Sequence, residues 1–344
     1  MDKYLRSLPT PEYHDNRRHL IADQFNLILG DPELCMEDQP LDILIIVKSA
    51  ASYANARQQI RQTWAHPDCI RHVLLKIRIV FVLGIMHETA EATALQPRIE
   101  QEYAVYRDIL QFDFVDHYRN NTYKFICAME FAANSCSVAR YVVVVDDDFL
   151  IYPANLVRYL ERVTAKEYPV FVAGHVFYAT VPVRQPNHKW CLTQNEYPFS
   201  FFPPYPTGGT IMLSMPLVKR LSVEIRYVPY LSIDDVVLGL VLRKLRIGLK
   251  HTSGIYLRKL EYLSLPEEKL ISVHSFRDLQ HIARSWSTSF CRSNITSLIP
   301  DKRVLLHHPT IKFRQPVKQI LPPVDFRMDH QAVLCSEYLV SSKR

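Results

Sequence analysis

Val142-Val143-Val144-Val145-Asp146-Asp147-Asp148-Phe149 sets four valines directly against three carboxylates. The valines predict a strand buried on both faces, because a continuous β-branched run leaves no side for solvent. Three adjacent carboxylates at the end of such a strand repel and raise one another's pKa unless a counter-charge is close. A divalent cation is the simplest counter-charge, and hard cations take oxygen ligands. Side chains alternate in extended backbone, so Asp146 and Asp148 are expected on one side and Asp147 on the other. The competing reading, a solvated acidic turn capping the next helix, suits so apolar a strand less well.

Outward from this run, strands alternate with helices. Ile43 to Val47, Ile77 to Leu83 (closed by Gly84), Phe112 to Val115, Tyr141 to Val145 and Val170 to Ala173 read as strands. Asn55 to Trp64, a segment opened near its first turn by Pro97, Asn121 to Ser137 and a segment from Pro153 read as helices. The alternation predicts an α/β fold: a Rossmann-like, mostly parallel central sheet flanked by helices. Ligands of such sheets bind beyond the carboxyl ends of the strands, where the aspartates sit. Residues 1–40 read as an irregular arm. No GxGxxG or GxxxxGK[ST] loop is present, which removes the usual sequence support for a dinucleotide oxidoreductase or a P-loop ATPase.

The bulk numbers agree with one large α/β domain or two smaller ones. The chain has 344 residues, 48% hydrophobic and 22% charged, enough for a substantial core. A net charge of +6, spread along the chain, does not indicate nucleic-acid binding but helps attract an anionic substrate. Seven widely spaced cysteines include no CxxC pair and argue against a zinc site. The sequons at Asn120 and Asn294 weakly favour a secretory compartment, where some cysteines would pair. Leu41 to Ala51 is too short to span a bilayer and is interrupted by Asp42 and Lys48. The first twenty residues carry no signal-peptide core.

Chemistry-bearing residues recur beyond residue 186. Trp190, Tyr197, Phe199, Phe201, Phe202 and Tyr205 crowd together before Gly208-Gly209. They read either as core or as a sugar-binding wall, where glycines admit a ligand close to the backbone. A second acidic pair, Asp234-Asp235, precedes a helical run reaching about Lys244. Ser232 and Asp235 have capping-box spacing, so Asp235 reads as a helix cap or a general base, and the two are not exclusive because Ser232 and Asp234 could do the capping. The helix dipole there is expected to lower the Asp235 pKa. His274, alone between apolar residues, reads from composition as a core histidine.

Taken in order, these pieces resemble the beta-1,3-glycosyltransferase family, which includes beta-1,3-galactosyltransferases, beta-1,3-N-acetylglucosaminyltransferases and, more distantly, Fringe. Arg57-Gln58-Gln59-Ile60-Arg61-Gln62-Thr63-Trp64 is similar to its Arg-x-x-Ile-Arg-x-Thr-Trp signature, and Phe81-Val82-Leu83-Gly84 to the next strand. Glu102 through Lys124, Asp146-Asp147-Asp148, Tyr205-Pro206-Thr207-Gly208-Gly209, Asp234-Asp235-Val236 and Val273-His274-Ser275-Phe276 follow in family order. The resemblance spans roughly residues 41–290. Departures are Asp234 where the family has Glu, Thr210-Ile211 where it has Gly-Tyr, and Asn121 where it has Leu.

The resemblance implies a GT-A fold and an inverting, metal-dependent transfer of a hexose, expected to be galactose, from a UDP-sugar in β-1,3 linkage. The metal would be Mn2+ or Mg2+, and the acceptor an oligosaccharide, glycoprotein or glycolipid. It assigns Asp235 as base and Asp148 with His274 as metal ligands. Arg57, Arg61, Lys124, Asp146 and Asp147 fall on the nucleotide side, with Asp146 toward the ribose. For Arg57, Arg61 and Lys124, packing and salt-bridging around Trp64 is an equal alternative. Trp190, Tyr205, Gly208, Gly209 and Asp234 fall on the acceptor side. A catalytic domain over 41–294 is expected, its nucleotide-sugar half at 41–175 and its acceptor half at 176–294, with an extension over 295–344. A homodimer is left open. Family members are Golgi-lumenal type II membrane proteins, although no transmembrane anchor is read in this sequence. The alternatives are N-acetylglucosamine transfer, or a degenerate member that binds glycan or acts as a chaperone-like partner.

Overall fold

The computed structural model describes residues 1–7, 20–35, 41–70, 73, 75–86, 90–257 and 269–274, without the side chains of 90–92. Its elements, in chain order, are α1 (Asp2–Ser7), β1 (Leu27–Leu29), β2 (Ile43–Lys48), α2 (Ala54–Gln62), α3 (Pro67–Ile70), β3 (Ile77–Ile85), α4 (Ala90–Tyr106) and β4 (Ile109–Val115). Then come α5 (Asn121–Ser135), β5 (Tyr141–Asp146), β6 (Phe149–Ile151), α6 (Pro153–Leu160), β7 (Val172–Phe177), β8 (Tyr205–Ser214) and α7 (Met215–Glu224). The last are α8 (Asp234–Lys244), β9 (Lys250–His251), β10 (Ile255–Tyr256) and β11 (Ser272–His274).

Eight strands form one sheet in the order β1-β4-β3-β2-β5-β8-β7-β9. The block β4-β3-β2-β5 is parallel, while β8 runs antiparallel to both β5 and β7. The chain therefore leaves β2 outward through β3 and β4 and returns to the opposite flank of β2 as β5. That reversal opens a crevice at the carboxyl ends of β2 and β5. A smaller sheet, β10-β11-β6, grows from the turn after β5.

Alternate residues of the central strands feed two cores. Leu44, Ile46, Val142 and Val144 join the side containing α5, α7 and α8. Ile43, Ile45, Val143 and Val145 join the side containing Ile60 and Trp64. All eight are fully buried, which is why the valine run shows no polar alternation. Each such side chain stabilises the fold by ~1.5–3 kcal/mol.

Some boundaries differ from the sequence reading. Pro97 lies inside α4 rather than at its start: the helix accepts a missing N–H in its interior and continues back to Ala90. Gly84 does not close β3 but sits within it, where a Cβ would come 2.5 Å from the Phe114 carbonyl oxygen. The strand placed at Val170 begins at Val172, after a 3-10 turn over Tyr168–Val170. The arm over 1–40 contains regular structure. In it, β1 pairs with β4, and Cys35 is disulfide-bonded to Cys136 at the end of α5. The extension at 295–344 lies outside the described residues.

Candidate active site

The crevice is organised by a lysine. Lys48 ends β2 and Asp146 ends β5, in direct register. The Lys48 Nζ lies 3.0 Å from Asp146 Oδ1 and also donates to Asp234 at the start of α8. Lys48 is buried, yet these two carboxylates hold its pKa above the ordinary value against the cost of burial. Sequence reasoning noted Lys48 only as an interruption in an apolar run. The missed signal was its position, the same strand end as the aspartates.

The three aspartates go to three partners. Asp146 takes Lys48. Asp147, buried, accepts from the Ser49 hydroxyl at 2.8 Å. Asp148 lies 3.5 Å from the His274 Nε2. The expected two-sided alternation does not describe them, because residues 147 and 148 form a turn between β5 and β6. Burial, and then the charges of Asp234 and Asp148, push Asp146 above the usual carboxylate range, against Lys48.

Asp235 lies in the first turn of α8. Its Oδ2 accepts from the Gly208 N–H at 3.2 Å, whereas its Oδ1 is buried with no hydrogen-bond partner among the described residues. The capping box is not made. The N-cap is Ile233, with no side-chain cap, and the Ser232 hydroxyl is buried without a partner among the described residues. The pKa expectation also reverses. Burial, reinforced by the neighbouring Asp234 charge, outweighs the helix terminus and pushes Asp235 up. A carboxylate so placed is a stronger base than an exposed one and has an oxygen available for a proton.

Arg57, Arg61 and Lys124 spend their charges inside the protein. Arg57, fully buried, donates to both Glu102 oxygens at 2.8 and 2.7 Å and to the carbonyls of Ala50 and Ala51. Arg61 holds Asp108 through two 2.8 Å bonds and Glu102 at 2.8 Å, stacked 4.0 Å from the Tyr106 ring centroid. Lys124 donates to the Ser49 carbonyl at 2.6 Å and to Asp116 at 2.8 Å. The other Asp116 oxygen accepts from the Ala51 and Gly84 N–H groups. Arg57 and Lys124 thereby fasten the segment 49–51 behind the crevice, while Arg61 is held by Glu102 and Asp108.

The residues expected on the acceptor side divide. Tyr205 is core rather than wall, packed on Phe177 and Phe202, with its hydroxyl accepting from Thr180. Asp234 is held by Lys48. Gly209 serves packing: a Cβ there would meet the Phe149 ring at 2.1 Å. Gly208 admits the carboxylate cluster, since its Cβ would lie 3.2 Å from Lys48 Nζ. Trp190 alone of these side chains is exposed.

Asp148 and His274 converge with one carboxylate and one imidazole, both part-exposed. No group of three metal-ligating side chains occurs among the described residues. This mixed oxygen and nitrogen pair fits Mn2+, which takes an imidazole beside oxygen ligands and completes its shell with phosphate oxygens and water, better than Mg2+, which prefers oxygen alone. The ion pair with Asp148 holds the His274 pKa up.

The chain is similar to known proteins. The galactosyltransferase family model matches residues 55–253, more than half of the chain. The chain is 33% identical over 259 residues to beta-1,3-galactosyltransferase brn of Drosophila melanogaster, covering 74% of this chain and 76% of that one. It is 31% identical to beta-1,3-galactosyltransferase bre-5 of Caenorhabditis elegans, covering 70% and 73%. It is 29% identical to human beta-1,3-galactosyltransferase 1, covering 78% and 80%. Among solved structures, the WbbM bifunctional glycosyltransferase is similar with a TM-score of 0.39 and 12% identity, over 76% of this chain and 51% of that one. An active-site mutant of LgtC is similar with a TM-score of 0.35 and 12% identity, over 75% and 98%.

Proposed function

Because this chain belongs to the galactosyltransferase family and is a hexosyltransferase, we propose that it moves galactose from UDP-galactose to a glycan hydroxyl with inversion, forming a β-1,3 link. The observation that carries this reading is Asp235, whose Oδ1 is buried without a hydrogen-bond donor among the described residues while Gly208 holds the other oxygen.

In this reading Asp235 Oδ1 takes the proton of the acceptor hydroxyl. The hydroxyl oxygen bonds to the sugar's anomeric carbon as the bond to the diphosphate oxygen breaks, and that bonding pair leaves with UDP. Lys48 offsets part of the charge of Asp146 and Asp234, which eases the approach of an anionic nucleotide. Asp148 and His274 would hold a divalent cation, which when bound neutralises charge on the departing diphosphate. The acceptor is an oligosaccharide on protein or lipid. The Cys35–Cys136 disulfide supports an oxidising secretory lumen, and the Golgi lumen is the compartment this reading assigns. No helix among the described residues is long and apolar enough to cross a membrane.

The test is a transfer and hydrolysis screen of UDP-sugars with Mn2+. Turnover of UDP-galactose supports the donor assignment, and preference for UDP-N-acetylglucosamine replaces it. Intact UDP binding without turnover of any donor would make the protein a non-catalytic member of the family.

A further inference from the structure

Helix α8 leads from the acidic crevice to a second, basic cleft. Its length of 11 residues spans about 16 Å, so the cleft lies well away from Asp235. There the end of α8 packs beside α1 and leaves a cavity of about 350 Å³. Leu5 and Ile247 give it an apolar side, and Arg6, Arg243, Lys244 and Arg246 surround it with positive charge. A Cβ on Gly248 would meet nothing within 4 Å, so this side of the cleft is open.

Two of the four cations are matched from within the protein. Arg243 donates to both Asp2 oxygens, at 2.8 and 2.7 Å, and Lys244 lies 3.5 Å from the buried Glu224. Arg6 and Arg246 are exposed, and their guanidinium groups form no hydrogen bond or ion pair among the described residues. The cleft therefore keeps two uncompensated arginines, beside an Asp2 carboxylate that opposes any anion.

The backbone at Arg246 is an independent sign. Helix α8 ends in a Schellman turn, in which the Arg246 and Ile247 N–H groups donate to the carbonyls of Arg243 and Leu242 at 3.2 and 2.9 Å. Arg246 takes the left-handed position of that turn, with φ at 59°, where glycine is the usual residue. An arginine held there is strained, and its side chain lines the cleft. The end of α8 opposes an anion with only about half an elementary charge, which the surrounding cations outweigh.

We propose that this cleft binds a phosphate monoester carried on a small polar molecule, such as a sugar phosphate. Charge selects the ligand. A phosphate monoester carries about two negative charges at neutral pH, matching the two uncompensated arginines, whereas a sulfate ester carries half as many. Planar guanidinium groups hold phosphate oxygens through paired hydrogen bonds. The cavity is larger than a phosphate group, which leaves room for a ring beside Leu5 and Ile247.

Calorimetric titration with glucose 6-phosphate, glucose 6-sulfate and glucose tests this, in EDTA so that no divalent cation bridges a phosphate to the crevice. Glucose 6-phosphate is expected to bind, glucose 6-sulfate about ten-fold more weakly and glucose not at all. Arg6→Met and Arg246→Met should each lower the affinity about ten-fold. Asp2→Asn, which removes the opposing carboxylate, should raise it about three-fold. Arg246→Gly separates binding from folding: affinity should fall as in Arg246→Met, while the urea midpoint stays level or rises because glycine relieves the strained position. Absence of glucose 6-phosphate binding overturns the proposal. Equal affinity in wild type, Arg6→Met and Arg246→Gly also overturns it, because the probe then sits elsewhere. Binding to vesicles containing phosphatidic acid, with none to glucose 6-phosphate, would replace the cleft with a membrane-facing basic patch.

Discussion

Lys48 and Asp146 face each other at the carboxyl ends of adjacent parallel strands, 3.0 Å apart, at the point where the sheet reverses its order. Asp234 closes on the same ammonium from α8, so one buried cation joins the ends of β2 and β5 to the start of α8. Lys48→Met removes the cation and leaves two crowded carboxylates. A loss of about 3 kcal/mol in unfolding free energy is expected, because breaking a buried pair strands the remaining charges. Lys48→Arg should not restore it, since Lys48 is buried between Asp146 and Asp234 and a guanidinium is larger than the ammonium it replaces. Urea denaturation of both variants checks this, and a Lys48→Met midpoint equal to wild type would refute it.

The raised pKa of Asp235 has opposite consequences for rate and stability. A base works only when deprotonated, so transfer is expected to fall as pH drops through this raised value. The acidic limb of kcat/KM should therefore lie well above the ~3.9 of an exposed aspartate. The folded state binds this proton more tightly than the unfolded chain, so the same group adds stability as pH falls. Asp235→Asn should lower kcat at least about a hundred-fold while preserving UDP affinity. Parallel loss of UDP binding would make Asp235 structural.

What was legible in the chain followed local rules. The valine run, the helix after Asp235 and the strand–helix alternation depend on neighbours in sequence, and they stand where periodicity put them. Lys48, Glu102 and Asp116 act over long separations: Lys48 reaches 186 residues to Asp234, and Glu102 reaches 45 to Arg57. No local pattern distinguishes such a charge from one facing water. For Tyr205 the sequence left core and sugar-binding wall open for a related reason. An aromatic beside Gly-Gly can be either until α8 is packed over it, with Gly239 admitting the Tyr205 Cβ and the Pro204 carbonyl.

Gly209 and Phe149 form a tight pair. Gly209→Ala would place a methyl 2.1 Å from the Phe149 ring, and a loss of about 3 kcal/mol is expected. Adding Phe149→Leu should recover part of it, because the clash is with the ring itself. A double-mutant cycle by chemical denaturation measures the coupling. Simple additivity of the two costs would mean that the residues do not touch.

Asn120 belongs to a sequon that the fold uses otherwise. Its amide donates to the Val115 carbonyl at 2.8 Å, and Thr122 is fully buried, with its hydroxyl on the Leu231 carbonyl. Native protein from a secretory host is expected to carry no glycan there. Mass spectrometry of the peptide containing Asn120 reads this directly, and substantial occupancy in folded, UDP-binding protein would contradict it.

His274 and Asp148 supply the clearest test of metal dependence, because binding can be measured without turnover. His274→Ala and Asp148→Asn should each weaken Mn2+ binding in the presence of UDP by at least about ten-fold, read by paramagnetic resonance of free Mn2+. The pH dependence has a definite sign. Asp148 holds the His274 pKa up, and an imidazolium cannot ligate a metal, so Mn2+ affinity should fall as pH drops through that raised value. In Asp148→Asn the fall should begin at lower pH, since the carboxylate that stabilises the imidazolium is gone. An Mn2+ titration that is the same in wild type and His274→Ala at every pH would remove His274 from the metal site.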